Sequence, residues 1–414
     1  MTSIASKPQL VIAGRVFTFT FRDEGIVVRV DRIDHERNAV KADVVIKSVR
    51  AGQGGQIRDR TNLLTLTGKR SLIRTAAEAI PELNWDHIIE VVAENVVTAV
   101  REGEPVRRLV DLPVRERLSH RFWPYLVNGH PTLLFGLGGA LKTTMAQYCA
   151  VNVAHGLARA EPGGVLVLDW ESDEDEWRNG ISMVSTGLGV SIPENIVYRY
   201  CSQRLTDDIE ELERVMAEFA IDLIIVDSAA YAVGGEPEKA DATMQLYGAL
   251  RTFRKTSLII GHVTNEQDPK RPFGSVFWVN SARSVWQAKR VQETGSDSLE
   301  LGLYHRKVNA GKLLQPTGFR VTFRQDHPDR YSDGDSVTFQ SVDVRDVPEL
   351  AGDLPLRQQI AGALRHSAQS VEWLAEHLGK REDQIRARLG DAGGKKLFVK
   401  APNGEWGLLQ QVPA

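Results

Sequence analysis

Apolar and polar residues alternate at the start of the chain. Phe17, Phe19 and Phe21 interleave with Val16, Thr18 and Thr20, the period-two pattern of a half-buried strand. Asp23-Glu24-Gly25 marks a turn, Ile26–Val30 begins a second strand, and Ala42–Val49 reads as a third. Around Leu63 the period changes. Ser71–Ile80 and Trp85–Arg101 carry helical spacing, the second closed by Gly103. The phenylalanines form either a core face or a platform for stacking nucleic-acid bases.

From about residue 105 to 345 short β-branched runs alternate with helical patterns. Thr132–Phe135, Val165–Asp169, Leu223–Asp227 and Ser257–His262 are predicted strands, and helices between them imply a parallel sheet covered on both faces. Leu299–His305 and Phe319–Arg324 extend that sheet at one edge. A stretch rich in Pro, Asp and Gly, 346–355, reads as a linker. Beyond it, Leu356–His366, Val371–Leu378 and Glu382–Leu389 are helical. Lys396–Lys400, a Pro402-Asn403-Gly404 turn and Trp406–Leu409 then form a hairpin. Three helices and a hairpin describe a winged helix-turn-helix over 356–414. The expected class is therefore α/β: a mainly parallel core at 105–345, preceded by a small accessory β-plus-helix domain at 1–104.

Composition narrows the picture. The chain has 414 residues, is 42% hydrophobic and 25% charged, and carries a formal net charge of −3. It can bury a core, and it is no globally basic chromatin binder, although local basic surfaces remain open to nucleic acid. No export signal or membrane-spanning run is evident at the sequence level, so a cytoplasmic protein is expected. Cys149 and Cys201 cannot form a metal cluster between them and read as small buried hydrophobes.

The strand at Leu133 feeds a glycine-rich turn, then Lys142 and Thr143, then a helix beginning at Thr144. Backbone N–H groups of such a turn, lined here by Gly136, Gly138 and Gly139, wrap phosphate oxygens at a helix N-terminus. In that reading Lys142 would sit against the β- and γ-phosphates of a nucleotide such as ATP and the Thr143 hydroxyl on Mg²⁺; a glycine-rich strand-to-helix turn with an incidental lysine gives the same string. Leu141 stands where the strict pattern has glycine, so it must avoid positive φ or accept strain. Asp227 ends an apolar strand, as does an acid that holds the magnesium shell; a merely capping aspartate gives the same string. Glu171 follows another strand end and can polarise the attacking water. Asp169 supports it or competes for that role. Asp173 to Glu176 reads as a solvated helix start. His262 ends a fourth strand and is either structural or a sensor of the γ-phosphate.

With those strands in hand, the chain resembles the RecA-like hexameric ATPases of the plasmid RepA-helicase and phage-encoded type over roughly residues 103–325. The motifs are FGLGGALKTT, VLVLDWES, IDLIIVDS, IIGHVTNEQ, GSVFWVNSARSVWQ and RKVNAGKLLQPTGF. The resemblance implies Glu171 as catalytic base, Asp227 as the acid beside the metal and His262 as sensor. Arg283 matches an arginine offered to a neighbouring subunit's γ-phosphate, and Lys307 a lysine supplied the same way. Asn309 stands where a second arginine is usual, and Asn265 where a lysine is common. It further implies a ring or filament, with loops Ala232–Thr243 and Asn265–Phe277 facing its central pore; the first is acidic, with Glu236, Glu238 and Asp241, and a poor phosphate binder. Lys270 and Arg271 on the second loop are candidate contacts to a single strand. Arg381, Gln384 and Arg388 on the third C-terminal helix, with Lys395 and Lys396, are candidate duplex contacts.

The expected activity is a DNA-dependent ATPase, a helicase or translocase of phage or mobile-element replication or recombination. Its rivals are an ATP-gated loader that does not unwind, and a DNA-binding regulator with a slow nucleotide switch.

Overall fold

Phe17, Phe19 and Phe21 are all buried, which settles their role as core rather than stacking platform. They lie on the second strand of a five-stranded antiparallel sheet, ordered β1 (Gln9–Ala13), β2 (Val16–Phe21), β3 (Ile26–Glu36), β4 (Ala39–Ser48) and β5 (Gln56–Asn62). Helices α1 (Leu66–Ala79) and α2 (Trp85–Glu102) cover its apolar face, with Leu72, Ile88, Ile89 and Val92 against the phenylalanines. The residues described by this computed structural model are 7–48, 56–103, 106–113, 120–236, 238–263, 272, 274–309, 311–327 and 330–409. The outer strands β1 and β5 escape the sequence pattern because half their residues stay exposed.

The central domain begins with a short hairpin, β6 (His120–Phe122) and β7 (Leu126–Val127). Next come β8 (Pro131–Gly136), α3 (Lys142–His155), β9 (Gly164–Asp169), α4 (Glu174–Leu188), β10 (Ile196–Tyr200) and α5 (Ile209–Glu218). Then follow β11 (Ile221–Asp227), α6 (Ala229–Ala232), α7 (Ala240–Phe253), β12 (Thr256–His262) and α8 (Phe277–Ser281). Four further strands complete it: β13 (Ser284–Val291), β14 (Ser298–Val308), β15 (Thr317–Arg324) and β16 (Ser336–Val342). One nine-stranded sheet runs β10-β9-β11-β12-β8-β13-β14-β15-β16. The first six are mutually parallel, and β14, β15 and β16 add antiparallel neighbours at one edge. Apolar clusters cover both faces, so the inner strands are buried from end to end.

The parallel register aligns functional chemistry. Asp227 pairs with Asp169, His262 pairs with Gly136, and all four lie at the carboxyl edge of the sheet. That is the edge where ligands bind in open α/β sheets.

The segment expected as a linker is instead docked. Helix α9 (Pro348–Ala351) lies within it, and Leu350 and Leu354 pack with Val344 and Tyr304. The Tyr304 hydroxyl donates to the Leu350 carbonyl at 2.6 Å, and Lys289 donates to the Glu349 carbonyl at 2.8 Å and Asp353 at 2.6 Å. Proline starts the short helix rather than preventing one. Beyond it lie α10 (Leu356–Ala363), α11 (Val371–Leu378), α12 (Glu382–Gly390) and the antiparallel pair β17 (Phe398–Lys400) and β18 (Trp406–Leu408) around their own small core.

Among the described residues no helix is long and apolar enough to cross a membrane. Both cysteines are free and buried, and burial pushes the Cys201 thiol up to about 11. The docked strap makes a direct prediction. Leu350→Ala removes a fully buried side chain and should cost about 2–5 kcal/mol, read as a lower urea midpoint for unfolding of the central domain.

Candidate nucleotide site

The turn after β8 is shaped by two glycines and one unusual leucine. A Cβ on Gly136 would lie 2.5 Å from the Ala288 carbonyl oxygen, so only glycine lets the strand end pack against β13. Gly139 takes φ 68°, which needs no side chain to be relieved. Leu141 adopts φ 58° and ψ 31°, the left-handed conformation. Of the two courses open to it from the sequence, it accepts the strain. Its side chain packs against the core cluster under α3, which holds the conformation in place.

Leu141 is also the N-cap residue of α3, and no side chain caps that helix. The first N–H groups of a helix have no internal partner, and here they face the glycine-rich turn without a side-chain competitor. A turn of this shape at an uncapped helix N-terminus fits an anion. Lys142 opens α3, is buried, and donates to the Leu137 carbonyl at 2.8 Å. Burial lowers its pKa, and the nearby carboxylates of Asp227 and Glu171 oppose that shift.

The Thr143 hydroxyl donates to Asp227 Oδ2 at 2.8 Å. This bond joins the start of α3 to the end of β11. Asp227 is 4% exposed, and burial raises its carboxyl from 3.8 to about 7, with the Thr143 bond pulling the other way. A hydroxyl and a carboxylate side by side form an oxygen donor set that suits Mg²⁺. The Asp227–Ser228 peptide is cis.

Glu171 follows β9 and is partly exposed. His262 Nε2 lies 3.2 Å from Glu171 Oε2, so the two residues proposed separately from sequence form one pair. The histidine hydrogen bond is the main reason the Glu171 carboxyl lies below its usual value, against the opposing effect of burial. Asp169 is not a rival for the same role. It is fully buried and accepts from the Glu171 and Ser172 N–H groups at 2.9 and 3.1 Å, the Ser172 hydroxyl at 2.8 Å and Tyr198 at 3.0 Å. Those bonds build the turn that presents Glu171. Asp173 caps α4 by accepting from Glu176 N–H at 2.8 Å, as a solvated helix start should.

Gly138 lies on the open side of the turn, and Thr144 in the first turn of α3. Sequence reasoning missed Arg290. Its guanidinium lies beside the turn, 3.4 Å from where a Cβ on Gly139 would stand. The signal was the parallel strand β13, which escaped the pattern because Ser284–Val291 mixes apolar and basic residues.

Arg283 and Lys307 are together, but far from this edge. Arg283 N–H donates to the Pro131 carbonyl at 2.8 Å, which fixes it at the opposite end of β8. A strand of that length spans about 20 Å, so Arg283 cannot serve the phosphate site of its own chain. It sits between α8 and β13 rather than on a helix, and its Nε is buried without a hydrogen-bond partner. Lys307 donates to the carbonyls of Val279, Asn280 and Ala282 at 2.9, 2.9 and 2.6 Å, closing the end of α8. Arg251, which the sequence did not single out, donates to the Ser281 carbonyl at 2.8 Å, and its charge with that of Arg283 adds to burial in lowering the Lys307 pKa.

The DNA candidates divide. Lys270 and Arg271 lie outside the described residues. Arg381 pairs with Asp383 at 2.9 Å and Arg388 with Asp391 at 3.5 Å, while the Gln384 side chain accepts from the Arg381 N–H at 3.4 Å. The third helix therefore carries compensated charge rather than a free basic stripe. Lys395 and Lys396 lie in a 3₁₀ turn before β17.

Residues 105–268 match the family model of an AAA domain. No curated protein matches the chain. Among solved structures, a KaiC-like protein from the hyperthermophilic archaeon Pyrococcus horikoshii OT3 is 15% identical, aligned over 55% of this chain and 100% of that one, with a TM-score of 0.39. So distant a likeness adds nothing about activity. The matched domain, the glycine-rich turn and the acids around it support a P-loop ATPase.

The raised Asp227 carboxyl has a pH signature. In the pH range between its unfolded value near 3.9 and about 7, the folded state binds the extra proton, so this group's stabilising contribution is complete at low pH and lost as pH rises through 7. The melting temperature of the ligand-free protein minus that of Asp227→Asn should therefore fall from pH 5 to pH 8. A constant difference would refute it.

Proposed function

We propose that the chain is an ATP-hydrolysing motor that assembles as an oligomer and works on DNA, in the manner of a phage or mobile-element helicase or translocase. The observation that carries the catalytic part is the meeting of Lys142, Thr143, Asp227 and Glu171 at one edge of the parallel sheet. Lys142 and the N–H groups of the turn would hold the β- and γ-phosphates, and Arg290 adds a cation at the wall of the turn. Thr143 and Asp227 would hold Mg²⁺, which neutralises phosphate charge when bound. Glu171 orients and polarises water for attack on the γ-phosphate. Its carboxylate is ionised at neutral pH and held by His262, so movement of His262 toward a γ-phosphate would free it for the water.

The motor reading draws on placement. Arg283 lies at the sheet end opposite its own phosphate loop, where an arginine is available to another copy rather than to its own site. Arginines offered between proteins in this way accelerate phosphoryl transfer by about 10³–10⁵. We read α10, α11, α12 and the β17–β18 hairpin as a winged helix that docks on DNA or on a partner. Paired charge on α12 favours contact through Lys395 and Lys396 over the helix itself.

A second reading has its own observation. Lys307 is already bonded to three carbonyls, so a trans lysine is not free as the chain stands. A slowly hydrolysing regulator that binds DNA would need no such residue.

ATP turnover with and without single-stranded DNA separates these readings. Glu171→Gln should lower turnover by about 10²–10⁴ while nucleotide still binds, and Lys142→Ala should abolish binding. DNA stimulation in the wild type supports the motor, and binding of ATP with background turnover supports the regulator. Strand separation of a forked duplex is expected of a helicase. Its absence, with DNA stimulation intact, identifies a loader.

A further inference from the structure

Strand β13 carries two consecutive basic residues to opposite faces of the sheet. Trp286 and Ala288 join the apolar cluster under α3, whereas Val291 packs with Leu350 and Leu354 of the docked strap. Side chains alternate along a strand, so Lys289 belongs to the strap side and Arg290 to the α3 side. Lys289 Nζ donates to the Glu349 carbonyl at 2.8 Å and to Asp353 at 2.6 Å. Room for the strap comes from Gly302, the cross-strand partner of Lys289: a Cβ there would lie 3.0 Å from Leu350 Cδ2.

The same stretch of β13 borders the phosphate turn. Its pairing with β8 ends at Gln287, opposite Phe135, so the next residues run beside the turn that follows β8. The two backbones are in close contact there: the Ala288 carbonyl is the group that leaves no room for a side chain on Gly136. Two residues on, the Arg290 guanidinium stands 3.4 Å from where a Cβ on Gly139 would be. Arg290 is exposed and, among the described residues, has neither a hydrogen bond nor an ion pair. An unpaired arginine has many rotamers, so nothing on its own face fixes it. Its backbone is held instead by the fastening of its neighbours Lys289 and Val291 on the reverse face. Close-packed elements transmit such a restraint rather than absorb it.

We propose that Lys289 and Asp353 are positioning residues for nucleotide binding: their ion pair clamps the end of β13 to the strap and so holds Arg290 against the phosphate turn, where its guanidinium meets the phosphates of a nucleoside triphosphate. This role presupposes that the turn binds nucleotide, as proposed above. The arginine fork matches phosphate oxygens in pairs, a contact whose strength depends on placement. Lys289 and Asp353 act from the other face of the sheet and never touch the ligand. Because the strap leads directly into α10, the clamp also joins the C-terminal helices to occupancy of the site. Whatever tightens the strap favours the ligand, and the ligand tightens the strap in return.

Affinity for the non-hydrolysable imido analogue of ATP, with Mg²⁺, is measured by calorimetry on the full chain. Arg290→Gln should weaken it about tenfold, the typical effect of losing one charge-assisted hydrogen bond. Asp353→Asn, which leaves β13 unaltered, should weaken it about three- to tenfold through the strap. The decisive comparison is the double variant. Once Arg290 is gone, Asp353→Asn should have no further effect, because it acts only through that side chain. Equal losses in both backgrounds mean general loosening of the domain and overturn the proposal, as does an affinity unmoved by either single change. Lys142→Ala separates this role from the nucleotide reading beneath it. Binding that is abolished by Lys142→Ala but unmoved by Arg290→Gln keeps the nucleotide site and removes the positioning role, whereas a wild type that binds no analogue removes both. A second measurement needs no variant. Amide hydrogen exchange over residues 349–354 of the wild-type chain should slow when the analogue saturates the site, and an unchanged rate overturns the clamp.

Discussion

The bond from Thr143 to Asp227 is the tie on which the site depends. It links a helix that begins at a glycine-rich turn to a strand at the centre of the sheet, and it does so at the edge where the phosphates of a nucleotide would lie. Breaking it would leave a buried carboxylate without its donor, and a buried acid lacking a partner is either protonated or destabilising. The same carboxylate belongs to a strand pair with Asp169, whose own oxygens build the turn under Glu171. Two acids on adjacent strands thus have divided tasks. One accepts from the Thr143 hydroxyl, and the other is closed off by four donors.

Parallel register explains why these groups converge although they are far apart in the chain. Each strand enters at the amino end and leaves at the carboxyl end, so every residue just past a strand is brought to the same edge. The arrangement also separates two kinds of basic residue. Lys142 and Arg290 sit at the carboxyl edge, whereas Arg251, Arg283 and Lys307 gather at the other end around the carbonyls that close α8.

Much of this was legible from residue order. The strands β8, β9, β11 and β12 announce themselves because burial on both faces demands unbroken apolar runs, and their terminal polar residues are then conspicuous. Strands β10, β13 and β16 were not legible: Tyr198, Arg290 and Gln340 interrupt the pattern where one side of the strand meets solvent or a polar partner. The pairing of His262 with Glu171 could not be read either, since the two lie 91 positions apart and meet only through the order of the strands. The strap at 346–355 was misjudged on composition. A stretch rich in Pro, Asp and Gly reads as a linker, but two leucines and the Tyr304 hydroxyl fix it to the sheet.

The left-handed leucine before Lys142 bears on how a ligand would be received. A non-glycine residue in that conformation costs roughly 1–2 kcal/mol, and here the cost falls when the chain folds, because packing of the Leu141 side chain already holds the backbone there. A glycine in its place would leave the loop free to sample other shapes, each of which an incoming triphosphate would have to suppress. The branched side chain therefore acts as a fixed mould: the entropy of ordering is lost before any nucleotide arrives, and association is left with less to restrain.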